Sequence, residues 1–294
     1  MEVLVIGGSG QIGRELCHLL EEAGISFMAP DREEFDLENH KNVSRQIKKW
    51  HPDIVINTAG YRDAGHATNE PSRCFSINRD AVSNLARACA LQNSALIQIS
   101  SWRVFDGKKK EAYSEKDTPN PESVLGNAFW QGEQQIHQHC PKHIILRLSW
   151  IISEKGHNRV TRLLKSFEEE KLAGTCPNHK GCPTTAIDVA RVLLGITQQI
   201  SCGIDVWGTY HYNASETIDE YSLAEIVLAE ASQYRDIQIE TLPVDEKEDQ
   251  LVINASLDGT KLKHTFGIKP RPWRSALAQL VRNYYQKDEQ EEAV

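Results

Sequence analysis

The chain has 294 residues, 40% of them hydrophobic, and a formal net charge of -8. That length buries a large core, either as one big α/β domain or as a main domain with a smaller appendage, so a disordered chain is excluded. The acidic balance argues against nucleic-acid and anionic-membrane partners, whose phosphates are neutralised by Lys and Arg, while leaving room for a locally basic pocket.

Met1 and Glu2 run straight into an apolar strand with no basic stretch or cleavage site. No apolar run approaches the roughly 20 residues that span a bilayer, so the reading is a soluble, cytoplasmic protein. The 7 cysteines are odd in number and lack framework spacing, which points to reduced thiols.

Apolar runs of strand length at residues 3–7, 26–29, 53–58, 95–100 and 144–150 alternate with segments of helical period. This is the pattern of a doubly wound parallel sheet covered by helices on both faces. Ile12, Leu16, Leu19 and Leu20 mark the first helix, which Gly24 closes. Cys74, Ile77, Ala81, Leu85 and Ala88 form the stripe of a longer helix before the fourth strand.

After residue 150 the rhythm changes. A basic helix is expected near 159–171, a loop rich in Cys, Pro and Gly at 175–184, and a helix at 187–200. Then follow a strand at 210–213, a helix at 222–234 and a C-terminal helix near 275–285, with an acidic, frayed tail at 287–294. These segments read as a smaller lobe on the substrate side of a cleft. The expected division is a dinucleotide-binding domain at 1–150, to which 185–201 returns, and a substrate lobe made mainly of 151–294.

Gly7, Gly8, Ser9, Gly10, Gln11, Ile12 and Gly13 form a Gly-x-x-Gly-x-x-Gly loop between the first strand and the first helix. Glycines permit the tight turn, and the helix offers free N–H groups and its positive end to a pyrophosphate. Asp31 ends the second strand, where a carboxylate accepts hydrogen bonds from ribose hydroxyls and favours NAD; Arg32 beside it suits a 2′-phosphate and favours NADP. Asp36 and Leu37 lie where the adenine is contacted in such Rossmann sheets.

The run Ile99-Ser100-Ser101-Trp102-Arg103-Val104-Phe105-Asp106-Gly107 resembles the dTDP-4-dehydrorhamnose reductase family, extended short-chain dehydrogenases that reduce a nucleotide-linked 4-keto sugar. Supporting segments span nearly the whole chain: Pro52 to Asn57, Asn69-Glu70-Pro71 with Asn78, Gly132-Glu133, Arg147-Leu148-Ser149-Trp150 and Gly181-Cys182-Pro183-Thr184. The resemblance implies an NAD or NADP cofactor held also by Thr58, Ala59, Gly60, Asn78 and Ser100, and a nucleotide-sugar ligand.

In that family a Ser or Thr, a Tyr and a Lys work together: Tyr protonates the carbonyl oxygen, Lys lowers its pKa, and the hydroxyl orients the substrate. Ser101 matches the hydroxyl. Leu125 and Phe129 stand at the Tyr and Lys positions and have neither an exchangeable proton nor a charge. Other family residues are replaced by Ala64-Gly65, Trp102-Arg103, Asn178-His179 and Leu251-Val252, all expected near the sugar nucleotide.

Arg103, His66, His179 and Tyr61 are the substitutes that could supply a proton, with Tyr113 a more distant one. Metal readings attach to His137, His139, Cys140 and His143, and to Cys176, His179 and Cys182, but neither set offers four convergent ligands, so no metal is expected. Lys108 to Lys110 reads as a solvated turn. Three functions follow: an NAD(P)-binding protein that has lost the Tyr/Lys machinery and acts on or senses an altered ligand; an active NAD(P)H-dependent oxidoreductase of sugar-nucleotide or secondary-metabolite biosynthesis, using Ser101 and a displaced donor; or a regulatory subunit similar to the β subunit of methionine adenosyltransferase. A homo-oligomer or an enzyme partner fits the last.

Overall fold

The computed structural model describes residues 1–169, 174–237, 239, 242–245 and 252–291. The chain opens with β1 (Glu2–Ile6), α1 (Gln11–Glu22), β2 (Ser26–Met28), α2 (His40–Trp50) and β3 (Ile54–Asn57). Next come α3 (Ala64–Asn69), α4 (Pro71–Phe75), a π turn (Ser76–Ala81), α5 (Val82–Leu91), β4 (Ala95–Ser101), α6 (Val124–His139) and β5 (His143–Leu148). The second half contributes β6 (Trp150–Ile152), α7 (Arg159–Glu168), β7 (His179–Gly181), β8 (Pro183–Thr185), α8 (Ala186–Ser201), β9 (Gly208–Tyr212), β10 (Ile218–Asp219), α9 (Glu220–Ala231), β11 (Ile253–Asn254), α10 (Thr260–Phe266) and α11 (Arg274–Glu291).

Among the described residues the main sheet has six strands in the order β2-β1-β3-β4-β5-β9, every pair parallel. Strand side chains alternate faces, and in β1 this sends Val3 and Val5 to one layer and Leu4 and Ile6 to the other. On one face Val3 and Val5 meet Leu16 and Leu20 of α1 and Val189, Leu193 and Ile196 of α8. On the other, Leu4 and Ile6 meet Val43 and Ile47 of α2, Leu85 of α5 and Ile136 of α6. A third core joins Trp150, Leu163, Leu223, Trp273 and Leu277 from the second half to Leu125 and Phe129 of α6.

Three expectations are corrected. The strand expected at 210–213 in the smaller lobe is β9, hydrogen-bonded to β5 at the edge of the main sheet. Helix α8 carries the chain back across that face, and Tyr212 donates its hydroxyl to Asp188 on it. The long helix expected across 74–88 is interrupted by the π turn, which rotates the register so that Asn78 rather than Ile77 is fully buried. The loop at 175–184 contains β7 and β8, paired with β10 and β11 and with β6 respectively. The basic helix ends at Glu168, and Lys171 and Leu251 fall outside the described residues. No described helix is long and apolar enough to cross a membrane, and no disulfide joins any of the cysteines.

Beneath the C-terminal ends of β4 and β5 lies a buried polar network. Arg147 Nη2 donates to Glu133 Oε2 at 2.5 Å and Arg147 Nε to Oε1 at 2.9 Å. Ser100 donates its hydroxyl to the same carboxylate at 2.5 Å. Arg147 Nη1 donates to His211 Nε2 at 3.3 Å, and His211 Nδ1 donates to the Tyr113 carbonyl at 2.9 Å. Burial, reinforced by the Arg147 charge, pushes the His211 imidazole down to about 3.

Two outcomes follow from this network. Replacing Glu133 by Ala strands the buried Arg147 charge and is expected to cost about 3–5 kcal/mol in urea unfolding. His211 stays neutral in the fold while the unfolded chain protonates it below an ordinary pKa of about 6.5. Its contribution is complete above that pH and is lost as pH falls towards 3, by up to about 1.4 kcal/mol per pH unit. The pH slope of stability should therefore flatten in His211→Gln across this window, as unfolding curves at pH 7 and pH 5 would report.

Candidate active site

The glycine loop opens α1 with no side-chain cap, so the first helical N–H groups face outward unclaimed by a capping side chain. Gly7 has φ +81, in the left-handed region that glycine adopts without strain. A Cβ at Gly13 would stand 2.1 Å from the Gly7 carbonyl oxygen, so helix and strand approach closely only because position 13 has no side chain. Thr58, at the end of β3, donates its hydroxyl to the Ile6 carbonyl at 2.9 Å and seats the neighbouring turn against the loop.

Two cavities of about 650 Å³ and about 680 Å³ meet across this loop, both lined by Gly7, Ser9, Ala59, Gly60 and Arg62. Gly10, Gln11, Ile12, Thr58 and Ser100 line the first. Asp31, Arg32, Asp36 and Leu37 line the second. Asp31 accepts from the Glu34 N–H at 2.9 Å, and Arg32 pairs with Glu38 at 2.7 Å. The two cavities together make a trough with the glycine loop at its middle.

Two residues named for the cofactor line neither cavity. Gly13 is packed beneath the loop, and Asn78 uses its amide on the Tyr61 backbone, donating at 2.8 Å and accepting at 2.9 Å. Asn78 therefore shapes the turn at Gly60 and Tyr61. Ser100 lines the first cavity, but its hydroxyl is committed to Glu133.

Ser101, the last residue of β4, lines the first cavity together with Arg103 and with Leu125 and Phe129 of α6. Both α6 side chains are buried, so this part of the wall is apolar. His66 and Tyr61 line the second cavity instead; His66 is exposed and 3.6 Å from Asp63, and Tyr61 donates to Glu70 at 3.3 Å. His179 lines neither, being held 3.8 Å from Glu220 on the lobe side. Tyr113 donates to Asp106 at 2.6 Å, and burial first, then that bond, pushes its phenol up to about 12. Of the substitutes considered, only Arg103 reaches the cavity of Ser101.

The Cys176, His179 and Cys182 triple does not converge. Cys182 shares a hydrogen bond with Thr217 at 3.2 Å, while Cys176, His179 and Glu220 bring one ligand atom each within 4.8 Å. Glu220 is already paired with both Arg159 and Arg162. Near the other cluster, His143 contacts His137 at 3.1 Å and Arg87 contacts His139 at 2.8 Å. Lys108 and Lys109 pair with Glu122 and Asp117.

The sequence reading missed most of the charge in the first cavity. Arg14, Arg62, Lys155 and Arg159 line it beside Arg103, and among the described residues no Asp or Glu does. Arg159 lies over the Trp150 ring at 4.2 Å and Arg103 over Trp102 at 5.1 Å. Burial lowers the pKa of Arg103 and brings Arg159 down to about 10. The available signal was the cluster Lys155, His157 and Arg159 just after β6, but only the fold turns that segment towards the glycine loop; Gln11 donates to the His157 carbonyl at 3.2 Å.

The sequence model of the family described as RmlD substrate binding domain matches residues 1–286. A dTDP-4-dehydrorhamnose reductase of Aggregatibacter actinomycetemcomitans is 33% identical over 285 residues, covering 94% of this chain and 96% of that protein. Another from Sinorhizobium fredii is 30% identical over 287 residues, covering 96% and 97%. Among solved structures, a dTDP-4-dehydrorhamnose reductase ortholog from Clostridium acetobutylicum has a TM-score of 0.87 at 25% identity, covering 96% of this chain and 99% of that one. A Bacillus anthracis dTDP-4-dehydrorhamnose reductase solved with NADP has a TM-score of 0.83 at 23% identity, covering 96% and 98%.

The cavity wall itself can be tested through Gly181. A Cβ there would lie 2.3 Å from the Trp150 ring, which stands between β7 and the cavity. Gly181→Ala is expected to destabilise by about 1–3 kcal/mol and to shift tryptophan emission, read in one urea titration followed by fluorescence.

Proposed function

This chain belongs to the dTDP-4-dehydrorhamnose reductase family, and from that premise we propose that it binds NADP(H) and a nucleotide-sugar type of ligand without the Tyr/Lys pair that serves ketone reduction in the family. The observation that carries this reading is the shared cavity: the glycine loop, Ser101, Leu125 and Phe129 all line it. The dinucleotide part fits the residues present. Gly7 has the backbone the turn requires, the helix end of α1 suits a pyrophosphate, and Arg32 can exchange Glu38 for a 2′-phosphate.

Bound NADPH supplies hydride at its nicotinamide. Ser101 orients an oxygen of the ligand at that end of the cavity, while Leu125 and Phe129 exclude water and neither give nor hold a proton. Loss of a general acid typically removes about 10²–10⁴ in rate. A second reading, an active oxidoreductase with a displaced donor, is favoured by one observation: His157 lines the same cavity as Ser101.

The test has two readouts. NADPH is expected to bind the purified protein, and Gly13→Ala to weaken it about tenfold or more by pushing the loop off its helix. Given a nucleotide-linked 4-keto sugar, the wild type should consume almost no NADPH, and Leu125→Tyr with Phe129→Lys should raise turnover about 10²-fold or more. Absence of affinity for any nicotinamide dinucleotide sinks the first reading. Substantial wild-type turnover that collapses in Ser101→Ala and in His157→Ala would establish the second.

A further inference from the structure

Ser101 is flanked by a charge that no carboxylate among the described residues answers. Arg103 makes no ion pair among the described residues, and burial is the sole cause that lowers its pKa. Its guanidinium is stacked on Trp102 and half-buried, so its solvation is partly stripped without a compensating carboxylate. Arg159 lines the same cavity and lies over the Trp150 ring at 4.2 Å; burial first, and then the neighbouring charges of Arg162 and Arg103, lower its pKa. Arg159 has Glu220 behind it; Arg103 has no such partner among the described residues.

We propose that Arg103 and Arg159 form an oxyanion-binding fork beside Ser101, so that the ligand of this cavity presents a carboxylate or phosphate group at that end. Three features of the geometry support it. Each guanidinium lies over a tryptophan ring, at 5.1 Å for Arg103 and 4.2 Å for Arg159, and a guanidinium donates two parallel N–H bonds to a carboxylate or phosphate; Arg159 keeps one nitrogen on Glu220. Among the described residues, no carboxylate lines the cavity to compete. The chain as a whole carries -8, so this concentration of cations runs against its overall charge. An anion between the two guanidiniums relieves their mutual repulsion, which a neutral sugar ring does not. This inference rests on the reading of the cavity as the ligand site.

The probe is inorganic phosphate, titrated calorimetrically into the protein saturated with NADP, so that the glycine loop is already filled. Wild type should bind phosphate, Arg103→Gln should weaken it about tenfold or more, and Arg103→Lys, which keeps charge but loses the fork, should fall between. Equal affinity in wild type and Arg103→Gln, or no phosphate binding by the wild type, overturns the fork. UDP-glucuronate, UDP-glucose and dTDP then separate the sources of the anion. A loss in Arg103→Gln confined to UDP-glucuronate assigns the fork to a sugar acid, and an equal loss for all three assigns it to the diphosphate. If all three bind Arg103→Gln as tightly as they bind the wild type, the result counts against the fork. Failure of NADP or of every nucleotide to bind would remove the proposed function instead, and phosphate titrated into the protein alone still decides the fork by the same comparison.

Discussion

The salt bridge between Glu133 and Arg147 is the constraint on which the site depends. It is buried on both sides, and a buried pair of this kind contributes little by its own attraction once desolvation is counted, yet its loss is severe because one charge is stranded. Its value is positional. Glu133 belongs to α6, Arg147 to β5, the accepting link to Ser100 reaches β4, and His211 extends it to β9. The helix that carries Leu125 and Phe129 is thereby pinned to the strand that ends in Ser101. Because strand side chains alternate, committing the Ser100 hydroxyl to the network sends the neighbouring residue to the opposite side.

Above that floor the cavity divides by chemistry. One end is the glycine loop and an uncapped helix start, suited to phosphates. The side away from it, past Gly60, is lined by Asp31, Asp36 and Leu37 and is suited to a nucleoside. The end at Ser101 is unusual in combining an apolar wall from α6 with two stacked arginines. The segment that delivers Arg159 also delivers His157 and Lys155, so the lobe contributes its charge as a block.

Much of the fold was legible in the chain. Four of the first five strands are buried along almost their whole length because both faces of a central parallel strand are covered, and the glycine loop was placed by the strand before it and the helix after it. Strand β9 was visible as a segment but read as part of the smaller lobe, since a strand does not encode which distant neighbour it pairs with. The π turn was illegible for a different reason: an inserted residue leaves composition and average period unchanged while rotating Asn78 inward.

Sequence by itself determined the residue types at the Ser101 end: a hydroxyl at Ser101, and side chains without proton or charge at Leu125 and Phe129. These are properties of side chains and hold wherever the backbone goes. Tertiary structure decided which of the candidate substitutes meet. It sent His66 and Tyr61 to the second cavity, turned His179 towards Glu220, and brought Arg103 and Arg159 to one cavity from segments that are remote in sequence. The physical reason is that hydrophobic burial and the pairing of buried charges fix the lobe against the sheet, and only that packing sets the distances on which electrostatics acts.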